Sequence, residues 1–293
     1  MKKSVLNFTL FPTLLLLAAC GGSNKPTDEA SSLDSVEVVA DEDTLQSQVL
    51  YNIPSPSETF TLLKSSGASF DKSLLNPADK ISKYVTTFSK ATNLGVYSTD
   101  LSFCLLYKQN QEVNIYMKNV SELTSALSID GNFIQSAVKR INANTDNLDS
   151  LKEVISEVSV NSKLFLSENK MNNTIAMMAT GNLVEAMYLV TNIAEKTKNK
   201  EMISLVADQK YSINNLIKEL EKFQSDKDIA GLLVDIKDIA GVYETLTEAP
   251  ATATASQDKG IVSIGSNTTL NLSNEQLKLI QKKITAVRNK IVL

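Results

Sequence analysis

The stretch IAMMATGNLVEAMYLVTNIA, residues 175–194, decides the fold class of this chain. Most of its side chains are apolar, and they recur at intervals of three and four residues, which places them on one face of an α-helix. The stepping positions are Ile175, Met178, Asn182, Ala186, Leu189 and Ile193. Because Asn182 is the one polar residue among them, the stretch predicts a long amphipathic helix with a buried apolar face.

Three further stretches show the same spacing and predict long helices of their own. Their stepping positions are Leu148, Leu151, Ile155, Val158, Ser162 and Phe165; Met202, Val206, Gln209, Ile213, Leu216, Leu220 and Phe223; and Ile229, Leu232, Ile236, Ile239, Tyr243 and Leu246. The connections at 170–173 and 225–227 are short, and short connections favour antiparallel neighbours. We therefore predict an all-α fold, an antiparallel helical array or bundle over residues 55–293.

Proline-containing capping signals mark the first helices of this body. Ser55-Pro56-Ser57-Glu58 is a capping box with proline at the first helical position, so a helix is expected from there to Gly67. Asn76-Pro77 repeats the signal and predicts a helix that carries Tyr84 and Phe88. Gly95 is expected to end or break that helix. Two more helices are predicted over residues 96–107 and 109–127.

The composition changes near the C-terminal end of the chain. Residues 248–260 have no apolar periodicity and predict a low-complexity loop. Residues 261–272 predict a small β-hairpin around Gly265-Ser266-Asn267, and a capping box at Ser273 predicts a terminal helix over 273–292. The cations of that helix are Lys278, Lys282, Lys283, Arg288 and Lys290. We interpret them as a solvated basic face, with contact to anionic lipid or to an acidic segment as the alternative.

Part of the deciding stretch resembles a known repeat family. The segment GNLVEAMYLVTNIA, residues 181–194, is similar to the turn and second helix of a tetratricopeptide repeat. The resemblance covers a single copy, with no clean second copy at the repeat spacing of this family. It implies helix pairs packed antiparallel, with Gly181 at the turn between two helices.

Several classes of catalytic and cofactor site are excluded by composition. The chain has no histidine, which rules out Ser-His-Asp and Cys-His catalysis and histidine metal sites. It also lacks a glycine-rich phosphate loop and a cysteine pair suited to redox chemistry. Carboxylate catalysis has candidates by residue type alone, namely Asp235, Asp238, Glu219 and Glu221. Their helical spacing favours a solvated face, so we predict a protein without catalytic residues, cofactor or metal.

The N-terminal residues have the pattern of a secretory signal. Lys2 and Lys3 precede an apolar stretch that ends at Ala19, and this stretch is shorter than the about 20 apolar residues that a membrane-spanning helix needs. It ends in Leu17-Ala18-Ala19-Cys20, which resembles the lipobox of bacterial lipoproteins at all four positions. The resemblance implies that residues 1–19 are a lipoprotein signal peptide and that Cys20 carries the lipid. Ordinary secretion with cleavage near Ala19 is the alternative, although Leu17 disfavours a cut directly after Ala19.

An acidic segment follows the lipobox. Residues 20–54 are rich in small and acidic residues and predict a flexible acidic tether. Acidic and basic residues balance after residue 57, so the body has no electrostatic footprint for nucleic acid. The chain resembles helical lipoproteins of the Bacteroidota in segments such as DNLDSLKEVI, which starts at Asp146. That resemblance implies a cell-envelope protein anchored by Cys20, with the outer membrane as the expected site.

The expected function follows from these exclusions. A lipid anchor, a tether and a helical body without catalytic groups are typical of a protein-interaction or scaffolding lipoprotein, which has a protein partner. The alternative is a small-molecule or glycan-binding lipoprotein associated with an envelope transporter, with a pocket around Tyr97, Phe103 and Tyr188. Cys104 lies among apolar residues and is expected to be a small buried side chain.

Overall fold

The computed structural model of the chain describes residues 63, 67–129, 131–143, 147–248, 252–258, 261–267 and 270–293. The predicted signal peptide 1–19, the tether 20–54 and most of the helix expected from Ser55 lie outside the described residues. Leu63 belongs to that expected helix, and it is helical and buried.

Long helices make up most of the described chain. Their bounds are α1 Thr87–Leu106, α2 Asn110–Ala126, α3 Gly131–Ala143, α4 Leu148–Glu168, α5 Asn172–Thr197, α6 Lys200–Glu221, α7 Lys227–Tyr243 and α8 Asn274–Val292. Two short 3-10 helices, Lys72–Leu74 and Ala78–Lys83, precede α1. The four periodic stretches of the sequence coincide with α4, α5, α6 and α7, and the all-α prediction is confirmed.

Helix α5 occupies the centre of this array. It contacts α1, α4, α6, α7 and α8, and its contact with α1 is the most extensive between any two helices of the described chain. Buried residues occur all around its circumference, for example Val184, Met187 and Leu189. A helix that is apolar on every side must be surrounded by other elements, which is what the sequence of α5 requires.

Two glycines allow α1 and α5 to cross closely. A Cβ atom on Gly181 would lie 1.9 Å from the carbonyl oxygen of Thr92, and one on Gly95 would lie 2.2 Å from that of Met178. The backbones therefore touch at this crossing. Gly95 was expected to end or break a helix, and that expectation is wrong: α1 runs through it, because the glycine serves close packing rather than a turn. Gly181 likewise lies inside α5, so the turn implied by the tetratricopeptide resemblance is absent there.

Helix α1 begins later than the sequence predicts. The Asn76-Pro77 signal leads into a 3-10 helix, Ala78–Lys83, whose N-cap residue Pro77 has no side chain able to accept a hydrogen bond. Thr86 supplies the effective cap, since its Oγ1 accepts from the Ser89 amide at 3.0 Å and the Ser89 hydroxyl accepts from the Thr86 amide. A side-chain cap satisfies amides that would otherwise lack partners, so the long helix begins at Thr87.

A small β-hairpin precedes α8, as predicted, but its strands lie elsewhere. Strand β1 (Thr247–Glu248) pairs with β4 (Leu270–Asn271), and β2 (Thr252–Asp258) pairs antiparallel with β3 (Ile261–Asn267). The loop predicted over 248–260 is therefore wrong across β2. Thr252, Thr254 and Ser256 alternate with alanine and glutamine in that stretch, which gives it the two-residue period of a strand, and the two threonines add β-branching. Residues 265–267, expected at the turn, instead pair with 252–254.

The terminal helix begins as the sequence predicts. The Ser273 hydroxyl accepts from the Gln276 amide at 3.2 Å, and Gln276 Oε1 accepts from the Ser273 amide at 2.9 Å. This reciprocal capping box fixes the start of α8. The helix then packs its apolar side against α5, α7 and α1.

Candidate functional site: a buried charge cluster

Three charged side chains meet in the interior of the helical array. Asp100 on α1 and Glu185 on α5 are fully buried, and Arg288 on α8 is 6% exposed. Charged side chains are almost never fully buried unless they are paired. We refer to Asp100, Glu185 and Arg288 as the buried charge cluster.

Arg288 and Glu185 form a bidentate ion pair. Arg288 Nε donates to Glu185 Oε2 at 2.6 Å, and Arg288 Nη2 donates to Glu185 Oε1 at 2.8 Å. Nη2 also donates to the carbonyl oxygen of Leu74 at 3.2 Å, and the guanidinium lies 4.0 Å from the centre of the Tyr188 ring. Burial alone would lower the pKa of Arg288, but the Glu185 carboxylate raises it, so the guanidinium stays charged.

Asp100 lies beside this pair and accepts fewer hydrogen bonds than Glu185 does. Its Oδ2 accepts from the Asn76 amide at 3.0 Å, whereas its Oδ1 is buried and has no conventional hydrogen-bond donor within the described chain. The Asp100 and Glu185 carboxyl groups are within hydrogen-bonding reach of each other. Burial, and then the charge of Glu185, hold the pKa of Asp100 well above its usual range, against the opposing charge of Arg288. Burial also raises the pKa of Glu185, and Arg288 opposes that rise.

Neutral polar side chains near the cluster form hydrogen bonds with Asn76 and Pro77. Tyr116 donates to the carbonyl oxygen of Asn76 at 2.8 Å, and Tyr97 donates to that of Pro77 at 2.9 Å. Asn76 Nδ2 donates to the Tyr84 hydroxyl at 3.0 Å. Because burying a polar group without a partner is costly, these bonds explain how so many polar side chains fit into the core.

The same layer holds the last turn of α8. Asn93 Nδ2 donates to the carbonyl oxygen of Ile291 at 2.8 Å, and Lys80 Nζ donates to that of Val292 at 3.0 Å. The last carbonyl groups of a helix have no partners within the helix. Here side chains from α1 and from the preceding 3-10 helix supply them, so the end of α8 is bound to residues about 200 positions earlier.

The chemistry of this arrangement is that of a structural contact. Both Glu185 oxygens face Arg288, and the carboxyl groups are sealed from solvent, so no substrate atom could approach either of them. No group of three or more aspartate, glutamate or cysteine residues that could hold a metal ion occurs in the part of the chain that the structure describes. The cluster therefore holds three helices together.

The residues expected to form a ligand pocket lie in the core instead. Tyr97 and Phe103 are fully buried, and the Tyr188 ring lies against the Arg288 guanidinium. The pocket proposed around these aromatic rings is therefore wrong, because their faces are already covered. Cys104 is fully buried, as expected, and burial raises the pKa of its thiol, which leaves it unreactive.

The candidate carboxylates of the sequence all lie in ion pairs, but Glu219 is buried, so the solvated face predicted for these acids is wrong at that position. Asp235 pairs with Lys290, Asp238 with Lys283, Glu219 with Lys222, and Glu221 with Lys237. Each of the four acids therefore has a lysine as its ion-pair partner. Two of these lysines also belong to the basic face predicted for the last helix, so acidic side chains of α7 partly neutralise that face.

Arg288 corrects the prediction for the last helix most clearly. It was assigned to the solvated basic face, yet it is buried against Glu185. Neither Asp100 nor Glu185 was among the site residues predicted from the sequence. A signal was present for both, since Asp100 lies between Val96 and Phe103, and Glu185 between Gly181 and Leu189, at helical spacing with buried residues. A carboxylate on a buried helix face needs a cation, and the sequence does not show which one.

A surface cleft lies next to the cluster. It has a volume of about 320 Å³ and lies between the segment 69–74, the end of α5 and α8. Its polar lining residues are Ser69, Asp71, Asn192, Glu195, Lys196, Thr197 and Gln281. Lys196 Nζ lies 3.2 Å from Asp71 Oδ2, and the Ser73 hydroxyl and Lys196 hold the pKa of Asp71 below its usual range.

One carboxylate oxygen of this cleft is unsatisfied. Glu195 Oε1 lies 2.6 Å from Lys198 Nζ, but Glu195 Oε2 is buried without a hydrogen-bond partner in the described chain. Gln281 Nε2 donates to Asn192 Oδ1 at 2.9 Å across the floor of the cleft. The cleft thus combines amide groups, a lysine and two carboxylates around a small open volume.

Comparison with known proteins gives no relative for this chain. No family model, no curated protein and no solved structure matches it. Among the described helices, none has both the length and the apolarity needed to cross a membrane.

Proposed function

We propose that this protein is a lipid-anchored protein of the cell envelope, most consistent with the outer membrane, whose helical body binds a protein partner. The observation that carries this proposal is the tetrapeptide Leu17-Ala18-Ala19-Cys20 behind a charged and apolar leader. Acyl chains on Cys20 would provide the membrane attachment, since each buried methylene contributes about 0.8 kcal/mol and more than one chain gives stable anchoring.

The body supports a role in binding rather than in catalysis. Among the described residues, the charged groups of the buried charge cluster form contacts that hold α1, α5 and α8 together. The four candidate acids of a carboxylate-only enzyme are each paired with a lysine, and one of them, Glu219, is buried. A rigid body of this kind is suited to presenting a surface to another protein.

The anchor is tested by replacing each cysteine in turn. Cys20→Ala should abolish metabolic labelling by an alkyne analogue of palmitate and release the protein from the membrane fraction, because the acceptor sulfur is gone. Cys104→Ala is the matched control, since Cys104 is fully buried within the body. It should label and fractionate like the wild type. Labelling that survives in Cys20→Ala, or is lost in Cys104→Ala, would contradict the lipoprotein proposal.

The partner is tested by photo-crosslinking in intact cells. A photoreactive amino acid is placed at Val234 on α7 or at Val85 before α1, which are 69% and 72% exposed and belong to different elements. A body with a defined docking surface should give one discrete adduct at one position and none at the other. Weak adducts with abundant membrane proteins at both positions would count against a specific partner.

The second candidate function, binding of a small molecule for an envelope transporter, is favoured by the cleft beside Glu195. Its volume of about 320 Å³ lies at the lower end of the range for small-molecule sites, and it contains a carboxylate oxygen without a partner. A small ligand with an ammonium group would suit that oxygen. In a thermal-shift screen of amino acids, polyamines and amino sugars, a ligand that stabilises the wild type but not Glu195→Gln would support this function. The absence of any such ligand would reject it.

A further inference from the structure

The charges of the buried cluster do not balance if every group is ionised. Two carboxyl groups, Asp100 and Glu185, share the interior with one guanidinium, and both of the strong contacts of Arg288 go to Glu185. An isolated charge in such an environment is very costly, and buried groups usually become neutral instead. Therefore either one of the two acids is protonated and neutral, or the folded state carries the free-energy cost of an unpaired buried charge.

The hydrogen bonds indicate which acid is neutral. Glu185 accepts from Arg288 at both oxygens, as a carboxylate does. Asp100 accepts one bond at Oδ2 from the Asn76 amide, and its buried Oδ1 has no donor. A protonated Oδ1 could itself be the donor, and a side-chain hydrogen bond between Asp100 and Glu185 contributes to the pKa of both groups. A single proton would then satisfy the orphan oxygen and balance the charges.

We propose that Asp100 is protonated at neutral pH and donates its proton from Oδ1 to the Glu185 carboxylate, which makes the packing of α1 against α5 sensitive to pH. The proton comes from solvent when the chain folds, and it returns to solvent when the site opens. Once Asp100 ionises, two carboxylates face one guanidinium. The repulsion between the Asp100 and Glu185 carboxylates then weakens the packing of α1 against α5.

The other titratable groups near Asp100 do not offer an alternative source of charge balance. Burial raises the pKa of the Tyr97 and Tyr116 hydroxyls and of the Cys104 thiol, so these groups stay neutral at physiological pH. Glu112 on α2 has a cation of its own, with its Oε1 2.6 Å from Lys72 Nζ. No second cation contacts Asp100 within the described residues.

The direction of the pH effect follows from proton uptake. In the unfolded chain Asp100 ionises near pH 4, whereas burial and Glu185 raise its pKa in the folded state. The folded protein therefore binds one proton more than the unfolded chain in the range between those two values. Asp100 favours folding fully below the unfolded value, and this contribution is lost as pH rises towards the folded value. The folding equilibrium constant should fall about tenfold per pH unit in that range.

The test compares wild-type protein with Asp100→Asn between pH 5 and pH 8. Asparagine keeps an acceptor for the Asn76 amide and a fixed donor towards Glu185, but it cannot titrate. The ratio of the wild-type folding constant to that of Asp100→Asn, from urea unfolding at each pH, should fall by up to about tenfold per pH unit. Asp228→Asn, on the exposed start of α7, is the control and should leave the wild-type pH dependence unchanged.

A spectroscopic measurement tests the protonation of Asp100 directly and does not depend on the stability of the variants. Infrared spectra of the wild type at pH 7 should show the carbonyl stretch of a protonated carboxylic acid, and this band should be absent from Asp100→Asn. It should also disappear in Glu185→Gln, since Arg288 would then pair with an ionised Asp100. A pH dependence identical in wild type and Asp100→Asn, or a wild-type spectrum without the acid band, would overturn the proposal.

Discussion

At the scale of single residues, Arg288 and Glu185 form the most deeply buried ion pair of the described residues. Removing two ions from water costs several kcal/mol for each, and two short hydrogen bonds with good geometry are needed to offset that cost. The pair is therefore a poor source of net stability. Breaking it from one side, however, leaves a buried carboxylate without its cation.

This asymmetry gives a prediction for single and double variants. Arg288→Met should lower the free energy of unfolding by about 3–5 kcal/mol, because Glu185 loses its partner in the core. The double variant Glu185→Met with Arg288→Met should lose less, since it leaves no carboxylate at position 185. Denaturant unfolding of purified protein measures both.

An exposed ion pair provides the control for this prediction. Lys237 Nζ lies 2.6 Å from Glu221 Oε1 on the surface, and the two side chains are 50% and 44% exposed. Lys237→Ala should change the free energy of unfolding by less than about 1 kcal/mol. A double variant in the core that is less stable than Arg288→Met would show that the pair itself favours folding.

At the scale of secondary-structure elements, the crossing of α1 and α5 sets the spacing of the whole array. Glycine inside a helix costs about 0.5–1 kcal/mol relative to alanine, so a helical glycine needs a compensating contact. Gly95 and Gly181 have one, because each lies against the backbone of the other helix. Gly231 on α7 has no atom within 4 Å of the position its Cβ would take.

Substitution by alanine should change the free energy of unfolding in opposite directions at a glycine of the helix crossing and at an exposed glycine. Gly181→Ala should destabilise the protein by about 3 kcal/mol, since its methyl group would overlap the Thr92 carbonyl and force the helices apart. Gly231→Ala makes the same chemical change at an exposed helical position and should stabilise by about 0.5–1 kcal/mol. Thermal unfolding distinguishes the two, and a tolerated Gly181→Ala would show that the helices need not approach so closely.

At the scale of the whole molecule, the last helix completes the core that the earlier helices begin. Leu277, Ile280 and Ile284 of α8 are buried, and its contacts reach α1, α5 and α7. The β-hairpin before it differs, because β2 and β3 contact each other more than they contact any helix.

Two deletions should therefore have unequal effects. A chain that ends at residue 272 lacks α8, exposes apolar faces of α5 and α7, and leaves Glu185 without a cation. We expect it to show no cooperative thermal transition. Replacing residues 252–267 by a short glycine-serine linker should leave the melting temperature within a few degrees of the wild type. Circular dichroism measures both, and a cooperative transition in the shortened chain would show that the core closes without α8.

The sequence by itself predicted the four long amphipathic helices α4 to α7 and the capping box of α8, but it did not predict α3 and it divided α1 at Gly95. These features depend on neighbours three or four positions apart, so local spacing is sufficient to predict them. It also predicted that Cys104 is buried, whereas the solvated face predicted for the candidate carboxylates is wrong for Glu219. The lipid attachment at Cys20 remains a prediction from its motif.

The tertiary structure alone decided the roles of Gly95, Gly181 and the buried charge cluster. From the sequence alone, a glycine in a helix predicts a break, because the second helix that contacts it is not known. Arg288 likewise predicts a surface cation, because the sequence does not show that Glu185 lies beside it. Residues 185 and 288 are 103 positions apart, and no local pattern relates them. The free energy of a buried charge depends on the partner that replaces water around it, and that partner is fixed only when the helices pack.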